Sequence, residues 1–441
     1  MTHRAAHARI DRLARTPLML LAVVGWGVFT ADSAAGERWP AFRGPTGQGF
    51  SDEADLPVTW GGKDKENVLW QVELPGEGHA SAIVWDGKVF TCTVGWPAGT
   101  PDRKKIMPDH HVTCYRAADG KRLWDTLVPP GPWLRDDFRS GAGGGYAAPT
   151  PATDGRHVFC VFGSAVIAAL DFDGKILWRH ELKPYTFDVT VGSSPVLFGD
   201  TVIMLCAMAK KSDSRLMAFD KATGEVKWQS PMPTVGFAHS TPLIIAVAGK
   251  PQMLVVASAM GVQPDGLQSF DPATGRRLWW CRGGGDASSP ASGSGIVYFD
   301  SGRGGPGFAV DPTGTGDVSA THVRWTEPQV PEAIGSPTIV GGYVYRLQSP
   351  GVLKCWNADT GDKVYSQRLE GLTSTWASPV VDAAGRLYFA SGGKSYVIDA
   401  GPQFKTLAVN DLGDANHASA AAAGGRLYIV GMKRLHCIGK K

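Results

Sequence analysis

Eight times along this 441-residue chain, a small residue and a Ser or Thr, usually followed by Pro, start a β-rich run that turns tightly and doubles back. The hydroxyl residues are Ser81, Thr150, Ser194, Thr241, Ser289, Ser336, Ser378 and Ser419, at intervals of 69, 44, 47, 48, 47, 42 and 41. Only the first interval is long, and two Pro-rich insertions, about Gly95–His110 and Pro129–Gly145, account for it. A second motif recurs in the same register. AFDKATGEVKW (218–228) has copies in SFDPATGRRLW, YRAADGKRLW and ALDFDGKILW, and a fifth, CWNADTGDKVY, puts Tyr365 where the Trp would stand. Its Asp bonds turn amides and its Gly takes a positive φ at little cost, so it reads as a hairpin ending in a bulky aromatic.

Each unit is therefore strand A after the hydroxyl mark, a turn, strand B, a loop, strand C, the Asp–Gly turn, and strand D with its Trp. Four short strands at a period in the forties are a propeller blade, and eight marks predict eight blades. The ends of the chain supply a separate argument. The last unit has strands A, B (Arg426–Val430) and C (Leu435–Ile438) but no D, while Asn67–Leu74 is an orphan D strand carrying Trp70. Pairing them seals a ring and removes two sheet edges. The expectation is an all-β, eight-bladed β-propeller of four-stranded blades over 67–441, closed by an N-terminal strand that completes the C-terminal blade. Residues 36–66, rich in Gly and Pro, read as an extended arm on that domain.

Residues 1–35 read as a secretory signal peptide: four Arg, an apolar run from Pro17 to Phe29, then Ser33, Ala34 and Ala35. The run falls short of the ~20 residues that span a bilayer, so no membrane span is expected after its removal. Without it the chain has 40 basic and 39 acidic residues, which excludes general nucleic-acid binding. The product is expected to be periplasmic or extracellular, and a monomer. Seven Cys fall singly in predicted strands as small apolar residues, with Cys92 and Cys114 placed so that they could bridge. No metal-ligand spacing is present.

The D-x-x-T-G-x-x-x-W repeats, within eight units in register, resemble the pyrroloquinoline-quinone (PQQ) repeat propellers, a superfamily that includes quinoprotein alcohol dehydrogenases and BamB-like proteins of outer-membrane assembly. WPAFRGPTGQGFS (39–51) is similar to the N-terminal segment of many exported members. The resemblance implies that Trp70, Trp124, Trp178, Trp228 and Trp279 pack between neighbouring blades.

The A–B and C–D connections are almost all short turns, so the longer D–A and B–C loops place the binding site on their face, around the central channel. Two residues before each mark is the channel mouth, held by His79, His239, Trp376 and His417, with Tyr146, Asp286, Glu332 and Asn416 close by. The B–C loops carry Arg303, Lys394, Lys433 and Arg434. These residues either bond the backbone at the blade tops or form a ring that binds an anionic or polar ligand or a partner's peptide. His239 lies about half a ring from His79 and His417, which argues against one shared zinc. The expected function is a non-catalytic exported scaffold that docks an envelope protein, a peptide or a polar small molecule at the loop face, with no cofactor. The alternative is a PQQ- and calcium-dependent alcohol or sugar dehydrogenase. The resemblance implies that such an enzyme clamps its quinone between a Trp and a disulfide of adjacent Cys, beside calcium held by carboxylates and an Asn. Trp376, Glu332, Asp286 and Asn416 are the residues available, but the chain has no adjacent Cys pair.

Overall fold

The computed structural model describes residues 37–134, 145–182, 192–207, 211–235, 238–257, 262–372, 376–391, 393–414 and 417–441. Residues 1–35, read above as a signal peptide, and Asn416 lie outside these residues. Eight antiparallel sheets follow one another in sequence, blade 1 after Ser81 through blade 8 after Ser419. Blade 1 is Ile83–Trp85, Lys88–Gly95, Asp109–Arg116 and Arg122–Val128, from the channel outward. Blade 8 takes its outer strand, Val68–Glu73, from the other end of the chain, with Trp70 opposite Cys437 and Val72 opposite Leu435. Blade 4 carries one extra short strand, Gly316–Asp317, parallel to its outer edge.

Burial follows position in the blade. Second strands such as His157–Phe162 and Thr201–Cys206 are apolar on both faces, because each sheet is sandwiched between two others. Outer strands such as Arg122–Val128 alternate between exposed and partly buried.

The hydroxyl marks are structural couplings. The amide of each mark donates to the hydroxyl of the next, Ser81 to Thr150, Thr150 to Ser194, and so on to Ser378 and Ser419, at 2.9–3.1 Å. These groups are buried, so losing a hydroxyl leaves an unsatisfied amide costing about 1–3 kcal/mol. Hence the residue type recurs while its neighbours vary.

The Trp–Gly motif works between blades in the same way. Trp70, Trp124 and Trp178 donate from Nε1 to Ala117, Phe172 and Lys221, in the C–D turn of the following blade. The Gly of that turn has positive φ and lies flat on the ring: a Cβ on Gly120, Gly174, Gly224 or Gly275 would sit 2.5–2.8 Å from the nearest atom of the facing Trp. Trp228 is the partner of Gly275. Trp279 departs from this geometry. It shares a buried cluster with Val297 and Phe299 of blade 5, but its Nε1 donates to Gln252 of its own blade. Trp325 of blade 5 makes the full contact, to Ala358 and Gly361, and was hidden because the C–D connection there is longer.

Gly224 and Gly249 share φ +75°, but a Cβ meets Trp178 and His180 within 2.7 Å at the first and nothing within 4 Å at the second. Gly249→Ala is expected to cost about 1–2 kcal/mol from backbone strain alone. Gly224→Ala should cost at least ~1 kcal/mol more, because the ring must move. Equal urea midpoints would contradict the packing role.

All seven Cys are buried thiols, which corrects the Cys92–Cys114 alternative. Cys92 stands opposite Val112, and Cys114 opposite Phe90, two pairs apart along the ladder with Thr91–Thr113 between them. Burial pushes the Cys114 thiol up to about 12, the inert regime.

The arm enters the channel. Trp39 pairs with Val84 of blade 1, Pro40 accepts from Thr153 of blade 2, Gln48 Oε1 accepts from Ser292 of blade 5, and Gly49 and Ser51 bracket Val381 of blade 7. Arg43, 2% exposed, donates to the carbonyls of Gln48 and Pro337 at 2.7 Å. Burial, with Arg346 nearby, brings its guanidinium down to about 9.

Candidate functional site

On the loop face the channel narrows to a cup of about 140 Å³. Its wall contains seven of the eight hydroxyl marks, all but Thr241, and the residue two before every mark: His79, Ala148, Gly192, His239, Ala287, Ile334, Trp376 and His417. Side chains alternate along a strand, so a position two residues from an inward-facing one also faces inward. Phe42 of the arm forms part of the lining, and Arg303 and Glu332 complete it.

One side of the cup is aromatic. The His79 and His417 rings meet edge-on at 4.9 Å, and Trp376 lies 5.2 Å from His417 and 6.0 Å from His79. Opposite, His239 is half-buried, with both ring nitrogens shielded from solvent. Desolvation, and then the charge of Arg303, brings its imidazole down to about 3, and desolvation lowers His417 as well. Both are neutral near pH 7. Arg303 Nε lies 3.2 Å from Asp286 Oδ1, behind the wall, and its backbone bridges Glu332. Asp286 is 2% exposed, and desolvation raises its carboxyl to about 7 in spite of Arg303.

Six of the ten residues singled out in the sequence are thus gathered at one cavity: His79, His239, Arg303, Glu332, Trp376 and His417. His239 reaches it from across the ring because the cup is narrow. Three others are elsewhere. Tyr146 is fully buried beside His110, in a cluster with Cys92 and Phe162. Asp286 acts through Arg303, and Lys394 starts a strand of blade 7 beside Gly371. Asn416 is not among the described residues. Sequence reasoning missed Phe42, whose arm has no periodicity to place it. It also missed a larger cavity of about 720 Å³ at the turn face, between the arm and blades 1–5.

The sequence profile described as "Outer membrane protein assembly factor BamB" matches residues 108–280 and 240–403, together more than half of the chain. The protein belongs to this PQQ-repeat family. Its fold resembles BamB from Moraxella catarrhalis (TM-score 0.57, 15% identity, 85% of this chain and 97% of that one). It also resembles a europium-containing methanol dehydrogenase (TM-score 0.54, 12% identity, 89% of each chain). The chain is 26% identical over 306 residues to a tetrathionate hydrolase of Acidithiobacillus ferrooxidans, covering 64% of this chain and 52% of that protein. It therefore spans about half the length of that curated relative. These likenesses include an assembly factor and enzymes on one scaffold, so the site must decide between them.

A quinone with calcium does not fit the residues present. The cup is below the ~300–1,000 Å³ of ordinary small-molecule sites. Trp376 is engaged with two imidazoles, no adjacent Cys pair exists, and among the described residues no three His, Cys, Asp or Glu side chains cluster to hold a metal.

Proposed function

We propose that this protein is an exported, non-catalytic scaffold of the BamB-like family that docks a partner protein or peptide on its loop face, with one partner side chain seated in the cup. The observation that carries this reading is the cup itself: about 140 Å³, floored by Phe42, with the aromatic group His79, Trp376 and His417 on one side and Arg303 with Glu332 on the other. Such a pocket suits a single anchoring side chain, the usual core of a protein interface. Two imidazoles and a Trp supply flat apolar surface with polar edges, and Arg303 supplies a donor fork for a carbonyl or carboxylate. Among the described residues no helix is long and apolar enough to cross a membrane. Export rests on the leader-like first 35 residues and on the family.

The test starts from protein recovered from the envelope fraction, whose N-terminus is Gly36 if the leader is removed after Ala35. Crosslinked pull-downs compare wild type with the His79→Ala, Trp376→Ala, His417→Ala triple variant. A specific partner retained by wild type and reduced at least tenfold by the variant is expected, and equal recovery sinks the cup as the docking site. Addition of PQQ and calcium should produce neither quinone absorbance nor alcohol-dependent dye reduction, and either signal would favour the dehydrogenase.

A further inference from the structure

The turn-face cavity exposes strand edges that the arm leaves uncovered. In a hairpin closed by two residues, the pair flanking the turn exchanges both backbone bonds, and the next pair turns its N–H and C=O away from the hairpin. In blade 1 that outward residue is Val84, three after the mark Ser81. Trp39 bonds it in both directions, at 2.8 and 2.9 Å. The equivalent amides Thr153, Ser292 and Val381 of blades 2, 5 and 7 are likewise satisfied by Pro40, Gln48 and Gly49.

Blades 3 and 4 are different. Their equivalents, Leu197 and Ile244, have no hydrogen-bond partner on the channel side among the described residues, and both line the 720 Å³ cavity. The inner strand of blade 4, Leu243–Val247, is also two residues longer than that of blade 3, Val196–Phe198. It therefore adds a second outward residue, the exposed Ala246, whose cross-strand partner Pro251 has no N–H to give. The matching residues of blades 6 and 8, Ile339 and Ala422, are buried, whereas Leu197 and Ile244 are not. Around these open edges the cavity wall is apolar, with Phe198, Ile245, Phe42 and Trp85, and the ion pair of Lys221 and Asp154 (3.7 Å) lies at one end.

We propose that this cavity is a second binding site, for an extended peptide that adds as a strand to the inner edge of blade 4. Such a segment would repeat on blades 3 and 4 what the arm does on blades 1, 2, 5 and 7. Backbone bonds to Ile244 and Ala246 supply affinity, and alternate apolar side chains lie against the wall that includes Phe198. The ligand is a partner's peptide with apolar residues at every second position. The site opens on the opposite face from the cup, sharing only Phe42 and Ser289 with it, and uses none of the cup's His or Trp side chains.

The experiment uses the purified mature protein and a library of eight-residue peptides in which Val, Ile, Leu or Phe alternates with Thr, read by fluorescence anisotropy. The tightest peptide should lose at least tenfold in affinity when its alternate amides are N-methylated. It should lose as much against Ala246→Pro, which removes an N–H that takes no part in the blade ladder and is tolerated at such an edge. Binding should be unchanged by Trp376→Ala, and amide exchange at Leu197, Ile244 and Ala246 should slow in the complex. Any of three results would overturn the proposal: no peptide binding, affinity indifferent to N-methylation (an ordinary apolar ligand pocket), or protection of Ile244 by protein self-association without peptide. The N-methylated peptide keeps the test decisive even if Ala246→Pro fails to fold.

Discussion

Arg346→Ala is expected to destabilise the protein by about 3–5 kcal/mol, the cost of leaving a buried charge without its partner. Arg346 and Asp300 are each 1% exposed and form a two-pronged pair, Nε to Oδ2 at 2.9 Å and Nη2 to Oδ1 at 2.7 Å. Asp300 ends the second strand of blade 5 and also accepts from Ser288 and from the amide of Gly302. Arg346 lies in the second strand of blade 6 and donates further to the carbonyls of Ala333 and Gly335, just before the mark Ser336. The pair therefore fixes the connection that carries Glu332 and Ile334 to the cup. Replacing both partners, with Arg346→Met and Asp300→Leu, should recover most of the loss because no charge is stranded. Urea melts of the single and double variants check this, and a loss below ~1 kcal/mol for Arg346→Ala would show the pair to be dispensable.

The second large effect is with pH. Burial brings His239 down to about 3 and His110 to about 4, and lowers His417 and His436. Their folded-state values lie below the unfolded ~6.5, so between about pH 6.5 and 4 the unfolded chain binds more protons and stability falls on acidification. Asp286 runs the other way. Its carboxyl is raised from 3.8 to about 7, so its contribution is greatest below the unfolded value and is lost as pH rises towards 7. At ~1.4 kcal/mol per tenfold in proton affinity, His239 and Asp286 nearly offset each other, and the remaining imidazoles set the direction. The urea midpoint should therefore fall from pH 6.5 to 4.5, more steeply in Asp286→Asn and less steeply in His239→Gln. A flat profile unaffected by either change would contradict these burial effects.

The sequence exposed whatever the ring repeats. The hydroxyl marks recur because seven of them, Thr150 through Ser419, cap the amide of the preceding blade's mark, and the Trp recurs with its Gly because the two are in contact across a blade junction. The wall of the cup followed, since a side chain two residues before an inward mark is also inward. Tyr146 and Asp286 stand four and three residues before their marks, where alternation no longer predicts direction, and both ended behind the wall. Glu332 also stands four before its mark, yet it reaches the cup through its bridge to Arg303. The arm has no repeat to announce its path, so neither the Phe42 floor nor the turn-face cavity could be read from spacing. Trp325 was obscured by the residues added between Asp311 and Val323, which broke the motif.

The central claim, that the loop-face cup is the docking site, is most directly tested by placing a photoreactive phenylalanine analogue at position 376 of the full-length protein in its native cells. The control position is Val226, exposed on the outer strand of blade 3. The account predicts a discrete adduct with one partner from position 376 and none from position 226. Identical adducts from both positions, or none from 376, would contradict it.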